Sequence, residues 1–382
     1  MTNVPGNPPT TTATGGPETL PPPGLSAMMA SGFRYETHPQ RIVFGAGKLA
    51  TLATEIAALG AKRALVVSTP GQRSAAEAIA RQLGDLAAGV CAEAEMHTPV
   101  EATERAMAAL SKTHADCLVA YGGGTAIGLS KAMALRTGLP QLAIPTTYAG
   151  SEMTPILGQT ENDIKTTIRS DQILPRVVIY DVDLTLDLPA PVTAASGINA
   201  IAHAVEGLYA RDRNPVISLM AVEAIRALGS ALPQLSRNGR NRDARLTAQY
   251  GAWLAGHVLG SVGMALHHKL CHTLGGSFGL PHAETHAVVL PHVARFNEPG
   301  DPAALAAVAD ALGGTNAAQA LYDLGVAIGV PTSLKAIGMD EADLDRAAEL
   351  AVQKPYWNPR PFGRGEIRAI LDEAFSGSRP GN

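Results

Sequence analysis

Six of the chain's 11 histidines fall within one stretch, LHHKLCHTLGGSFGLPHAETHAVVLPH, residues 266–292. His268 and His272 are four apart in a helix-patterned segment, so both project from one face. His282 follows the glycine-rich turn GGSFGLP, which can fold the chain back toward that face. Upstream, Asn199 and His203 repeat the same spacing in GINAIAHAVEG. Two helical pairs and a returning imidazole are how a divalent metal centre is built between helices. His286 and His292 are expected to pack or to face solvent. Cys271 is expected to fill core on the side opposite the histidine pair.

A second set of residues points to a nucleotide. Gly122, Gly123 and Gly124 directly follow the apolar run DCLVAY and precede a helix-patterned segment starting near Ala126. Backbone without Cβ can approach a pyrophosphate, and a helix N-terminus offers free N–H groups and a positive dipole end. Thr125 adds a hydroxyl at the same spot. Ser68 and Thr69 end the run ALVV, and Thr146 and Thr147 follow LAIP. Ligands of open α/β sheets gather beyond such strand ends. The loop is not GxGxxG, so the ordinary dinucleotide fingerprint is absent. Ser-Thr-Pro stands where an acidic residue would hold a ribose 2′-hydroxyl, which predicts no strong exclusion of a 2′-phosphorylated cofactor.

The segments that must position these groups follow two patterns. RIVFGAG (41–47), RALVVSTPG (63–71), DCLVAYGGGT (116–125), LPQLAIPTT (139–147) and RVVIYDVDL (176–184) are strand-like runs. Helix-like segments at 49–60, 72–84, 101–113 and 128–135 separate the earlier ones. Apolar strands alternating with helices predict a mostly parallel sheet covered on both faces. DLPAPVTAASG (187–197) marks a boundary, and beyond it the pattern is helical: 193–210, 214–232, 242–260, 262–277, 301–312, 314–328 and 340–353. The expected fold is an α/β dinucleotide-binding domain with a mostly parallel sheet over 33–188, followed by an all-α domain over 189–382 that carries the histidines.

Composition narrows the class. At 382 residues, 46% hydrophobic and 17% charged, the chain reads as two globular domains. A net charge of −4 without a dense Lys/Arg run gives no footprint for nucleic acid. Cys91, Cys117 and Cys271 form no CxxC pair, which predicts reduced thiols and a cytoplasmic location. No apolar run long enough for a membrane span is read, so a soluble protein is expected. Residues 1–32, rich in Pro, Thr and Gly, predict a disordered tail without a signal-peptide pattern.

Four motifs give the chain a resemblance to the iron-containing alcohol dehydrogenase family. They are the GGGT turn, PTTYAGSE (145–152), NAIAHAVEG (199–207), and HxxxH with PH ten residues on (His268, His272, His282). HHKLCHTLGGSFGLPHAETH, ARDRNPVISLMA (210–221) and YWNPRP (356–361) are similar to its maleylacetate reductase branch. The resemblance runs from about Phe33 to the C-terminus. It implies the dehydroquinate synthase-like fold of that family, NADH or NADPH as cofactor, and a homodimer. It also implies reduction of the C=C bond of maleylacetate, a small dicarboxylate, to 3-oxoadipate.

Family members bind Fe²⁺ or Zn²⁺ through one Asp and three His, and the matching positions are Asn199, His203, His268 and His282. A neutral amide removes a full negative charge from a site otherwise made of imidazoles, so no bound metal is expected. Histidines freed from metal then serve as donors to an enolate, and protonated ones attract the carboxylates. His268 and His203 are expected on the carbonyl or a carboxylate, and His272 or His282 as proton donor. His267 is expected as a neighbour or a substrate contact, and Lys269 as a carboxylate partner or part of a solvated helix face. A metal-dependent alcohol or aldehyde dehydrogenase and an inactive nucleotide-binding scaffold are the rival readings.

Overall fold

The computed structural model describes residues 24–161, 164–354 and 356–381. The first element, α1 (Leu25–Ser31), is a short helix that buries Met28. A disordered tail is therefore the wrong expectation for 25–31, because one apolar anchor suffices to fix that turn; residues 1–23 lie outside the described residues.

Strands β1 (Arg41–Phe44), β2 (Ala64–Val67), β3 (Ala87–Cys91), β4 (Cys117–Gly122) and β5 (Gln141–Pro145) join a sixth, Val177–Tyr180, in one parallel sheet. Side chains alternate across it. Val66, Val119 and Ile144 pack with α2 (Leu52–Ala58) and α3 (Arg73–Leu83) on one face. Leu65, Val67 and Leu118 pack with α4 (Val100–Leu110) and α5 (Gly124–Thr137) on the other. Burial on both faces is why these strands read as unbroken apolar runs. β3 does not read as a strand: it is an edge built of AAGVC, with only Cys91 buried and Gly89 at φ +143°. A separate antiparallel hairpin, β6 (Ile156–Glu161) and β7 (Ile164–Arg169), is also unannounced, because ILGQTE and IKTTIR show neither a continuous apolar run nor a strict alternation. The Val177–Tyr180 strand is β8, and the order is β1-β8-β5-β4-β2-β3.

After β8 the described residues are helical: α6 (Ala190–Leu208), α7 (Pro215–Arg237), α8 (Arg242–Ser261), α9 (Leu266–Phe278), α10 (His282–Asn297), α11 (Pro302–Ala311), α12 (Ala317–Ile328), α13 (Leu344–Val352) and α14 (Arg364–Ser376). By length and composition α7 could cross a membrane, contrary to the expectation that no such run exists. Half of its apolar window is buried, with Ile217, Ile225 and Leu228 in the helical core. The periodicity does not announce α10 and α14, and α10 matters most because it carries three histidines, His282, His286 and His292.

A buried lysine fixes the joint between the two parts. Lys131, inside α5, donates to Ser151 O (2.5 Å), Thr154 Oγ1 (2.9 Å) and Ile156 O (2.9 Å). The same 150–154 segment lies against α8, where a Cβ on Gly260 would stand 2.5 Å from Met153 O. Burial lowers the Lys131 pKa from 10.5 to about 7, opposed by the nearby Glu152 carboxylate. The folded chain therefore binds fewer protons than the unfolded one between about pH 7 and 10.5, so this group makes stability rise with pH across that window. Lys131→Met is expected to flatten that rise in a series of unfolding curves against pH. It should also cost about 3 kcal/mol near neutrality by leaving three acceptors bare.

Candidate active site

The glycine loop meets the ends of three neighbouring strands. β4 ends at Gly122 (φ +142°), where a Cβ would lie 2.6 Å from Gln72 Oε1 and 2.9 Å from Ala126 Cβ. A Cβ on Gly123 would meet Thr147 Oγ1 at 2.9 Å. Gly124 opens α5, whose first N–H groups receive no side-chain cap, and Thr125 follows in its first turn. Thr69 hydrogen-bonds Gln72, which donates to Thr146 Oγ1 at 3.2 Å, so Gln72 ties the β2 end to the β5 end. Ser68 is buried and donates to Thr69 O. Ser68, Thr69, Gly122, Gly123, Gly124, Thr125, Thr146 and Thr147 are thus brought to the carboxyl end of the sheet. Gln72 is the member that residue typing alone misses. A turn in which Gly122 and Gly123 leave no room for a Cβ, beside an uncapped helix N-terminus, fits a pyrophosphate.

The imidazoles converge from three helices. His203 comes from α6, His267, His268 and His272 from α9, and His282 and His286 from α10. Ring centroids of His203 and His268 are 5.0 Å apart, those of His268 and His286 4.8 Å, and those of His282 and His286 4.5 Å. His272 lies 6.2 Å from His268 and stacks at 6.4 Å on His282, forming the more exposed rim. At the buried end, Asn199 Oδ1, both nitrogens of His203, and Nε2 of His268 and of His286 have no hydrogen-bond partner. Polar atoms kept this way are costly unless a ligand completes them.

Glu206 builds this arrangement. It is fully buried one turn beyond His203, and its carboxylate accepts from the N–H groups of Ala265 (3.1 Å), His267 (2.8 Å) and His268 (3.4 Å). It also accepts from Nδ1 of His268 at 2.6 Å. α9 has no side-chain cap of its own, so the Glu206 carboxylate satisfies its orphan donors and complements its dipole. His268 is thereby held with Nε2 turned inward. The three-residue offset from His203 could have flagged Glu206, since both share one helix face.

Several expectations need correction. His286 does not simply pack or face solvent: it sits at the centre of the cluster, four residues after His282 on a helix whose periodicity is obscured by polar HAETH and internal Pro291. His292 is buried but apart, 3.7 Å from Glu373. His267 is fully buried, with Nε2 at 2.9 Å from His286 Nδ1, which makes it a neighbour rather than a substrate contact. Cys271 is core, as expected, yet it also approaches His267 at 3.8 Å. Lys269 is exposed, its Nζ 5.8 Å from the Tyr356 ring centroid, so the solvated face is the better description. Burial, reinforced by the neighbouring rings, pushes the pKa values of His203, His267 and His286 well below the usual 6.5. These three are neutral at physiological pH, so they do not supply the positive charge expected for attracting carboxylates.

With this geometry in view, two family models match the chain. Iron-containing alcohol dehydrogenase covers residues 39–182, and the C-terminal model of the Fe-containing alcohol dehydrogenase family covers 193–375. The chain belongs to the iron-containing alcohol dehydrogenase family. Among its relatives in that family, a maleylacetate reductase of Rhizobium sp. (strain MTP-10005) is 58% identical over 348 residues, spanning 91% of this chain and 99% of its own. A maleylacetate reductase of Burkholderia cepacia is 53% identical over 350 residues, 92% and 99% of the two chains. The crystal structure of maleylacetate reductase from Agrobacterium tumefaciens superposes with a TM-score of 0.89 at 57% identity, over 91% and 99%.

Asn199, His203, His268 and His282 are the residues that the resemblance matches to the family's metal ligands. The residues present do not suit a divalent ion. Asn199 offers a neutral, unpartnered amide oxygen in place of a carboxylate. Among the described residues, the ligand atoms that lie within 4.8 Å of one another belong to a different trio, His267, Cys271 and His286. Its two rings already hydrogen-bond each other, a contact that a metal there would have to break.

Proposed function

We propose that this protein reduces the C=C bond of maleylacetate to give 3-oxoadipate, using NADH or NADPH and no metal ion. The observation that carries the reading is the polar set: imidazoles, with His203 and His286 held neutral by burial, and the Asn199 amide gather where a Lewis acid would otherwise sit. Near end-to-end similarity to maleylacetate reductases supports it. An alcohol dehydrogenase must stabilise an alkoxide, for which a metal is well suited. Reduction of an alkene conjugated to a ketone instead places charge on an enolate oxygen, a weaker base that hydrogen bonds can support.

The reduced nicotinamide, when bound, supplies the hydride. Gly122, Gly123, Gly124 and Thr125 would receive its pyrophosphate, with Ser68, Thr69, Thr146 and Thr147 at the adjoining strand ends. His203 and His268 line the buried place for the substrate's carbonyl oxygen or a carboxylate, His268 being oriented by Glu206. Asn199 contributes a neutral polar atom there. His272 and His282, on the rim, are placed to bring the proton that completes the product. Three buried, unpaired cysteines agree with a soluble protein of a reducing compartment such as the cytoplasm.

Mixing the protein with NADH, or separately NADPH, and maleylacetate should consume reduced cofactor and yield 3-oxoadipate in equal amount. Cofactor oxidation that yields a hydroxy-acid product, or none at all, would sink the reading. Asn199→Asp is expected to restore a charged ligand and tighten zinc binding by at least about 10-fold in equilibrium dialysis. Unchanged affinity would show that the amide is not what keeps metal out.

A further inference from the structure

We propose that His286 is a substrate-facing hydrogen-bond donor whose Nε2–H is fixed outward by a relay running from Cys271 through His267. The inference rests on the maleylacetate reading for the identity of the ligand. His286 is not among the positions that match the family's metal ligands, which are Asn199, His203, His268 and His282. Yet it is fully buried, and the rings of His203, His268 and His282 surround it at 6.3, 4.8 and 4.5 Å.

The two ring nitrogens of His286 have different surroundings. Nδ1 lies 2.9 Å from Nε2 of His267, so a single hydrogen is shared between them. Nε2 is buried without a partner. The position of the shared hydrogen decides whether Nε2 carries a hydrogen or a lone pair. If His267 donates it, His267 Nδ1 must be an acceptor. Cys271, one helical turn on, holds its sulfur 4.0 Å from that Nδ1 and 3.8 Å from Nε2. In this apolar packing, against Leu270, Leu274 and Val289, the thiol keeps its hydrogen and has a ring nitrogen to give it to. The consistent assignment is S–H to His267 Nδ1, His267 Nε2–H to His286 Nδ1, and His286 Nε2–H toward the substrate.

That assignment answers a need of the site. Glu206 accepts from Nδ1 of His268, so that hydrogen is turned away from the substrate. His203 has no partner on either nitrogen to set its hydrogen. An oxygen gaining negative charge needs a donor already aimed at it, and the relay supplies one without burying a cation. Reversing the relay would turn a lone pair of His286 toward that oxygen.

The test uses full-length protein labelled with ¹⁵N-histidine, with His286 assigned from the signal lost in His286→Gln. The expected result is a hydrogen bonded to Nε2 of His286 and none on Nδ1, with the signal moved in Cys271→Ala. A hydrogen on Nδ1 overturns the proposal. In the assay with NADH and maleylacetate, His286→Phe should lose about 100-fold in kcat/KM. His286→Gln, whose amide nitrogen can take the Nε2 place, should stay within about 10-fold of wild type. A folded His286→Phe protein within about threefold of wild type overturns the proposal. So does stoichiometric zinc that is lost in Cys271→Ala, because the trio would then be a metal site. A wild-type protein inactive on maleylacetate defeats the substrate contact together with the functional reading, while the tautomer measurement still decides the relay.

Discussion

Glu206→Ala is expected to lower kcat/KM for maleylacetate by about 10³-fold and to cost about 3–5 kcal/mol of stability. Two roles meet in this carboxylate. It receives three backbone N–H groups at the start of α9, and it holds His268 through a 2.6 Å contact at Nδ1. Truncation leaves those donors buried and unpaired and frees the ring to rotate. Glu206→Gln separates the roles. The amide keeps the volume and one acceptor oxygen but turns hydrogens toward groups that are themselves donors. Its stability loss should therefore be smaller, while its turnover falls nearly as far. Thermal unfolding and steady-state kinetics on both variants check this. A folded alanine variant within about 10-fold of wild type would remove Glu206 from the account.

Gly123→Val is expected to weaken NADH binding about 100-fold with little effect on folding. Gly123 has an ordinary φ of −83°, so backbone strain is not the cause. The new Cβ would sit 2.9 Å from Thr147 Oγ1 and 3.0 Å from its methyl, and the branched side chain would occupy the floor of the loop. Titration of NADH fluorescence gives the affinity directly. The KM for maleylacetate at saturating cofactor should barely move. Unaltered NADH affinity would mean that the dinucleotide does not lie on this loop.

The parts of the fold that sequence makes legible are those with one dominant physical signal. β2, β4, β5 and β8 are buried on both faces, so each shows as a continuous apolar run that nothing but a covered parallel strand explains well. β3 lacks that signal because an edge strand of Ala and Gly buries little. The β6–β7 hairpin hides because its residues neither run apolar nor alternate, and one of the buried positions of β6 is the polar Gln159. In the site, Asn199, His203, His268 and His272 are readable from four-residue spacing on helices. His286 obeys the same rule with His282, but Pro281, polar HAETH and Pro291 mask the helix that both share. Gln72 bonds a residue far along the chain, and local spacing carries no trace of that contact; Glu206 shares a helix face with His203, but its backbone partners at the start of α9 leave no such trace. The charge state of the cluster was out of reach for a related reason. Only the depth of His203, His267 and His286 shows that burial keeps them neutral.

In the proposed reaction, imidazoles without a metal support reduction of a double bond rather than of a ketone. The most direct test supplies chelator-treated protein, its metal content verified by elemental analysis, with maleylacetate and NADH deuterated at C4. The account predicts undiminished turnover and 3-oxoadipate carrying deuterium on the former alkene carbon next to the carboxylate. Deuterium on a hydroxyl-bearing carbon, or turnover that returns only when Zn²⁺ or Fe²⁺ is added back, would contradict it.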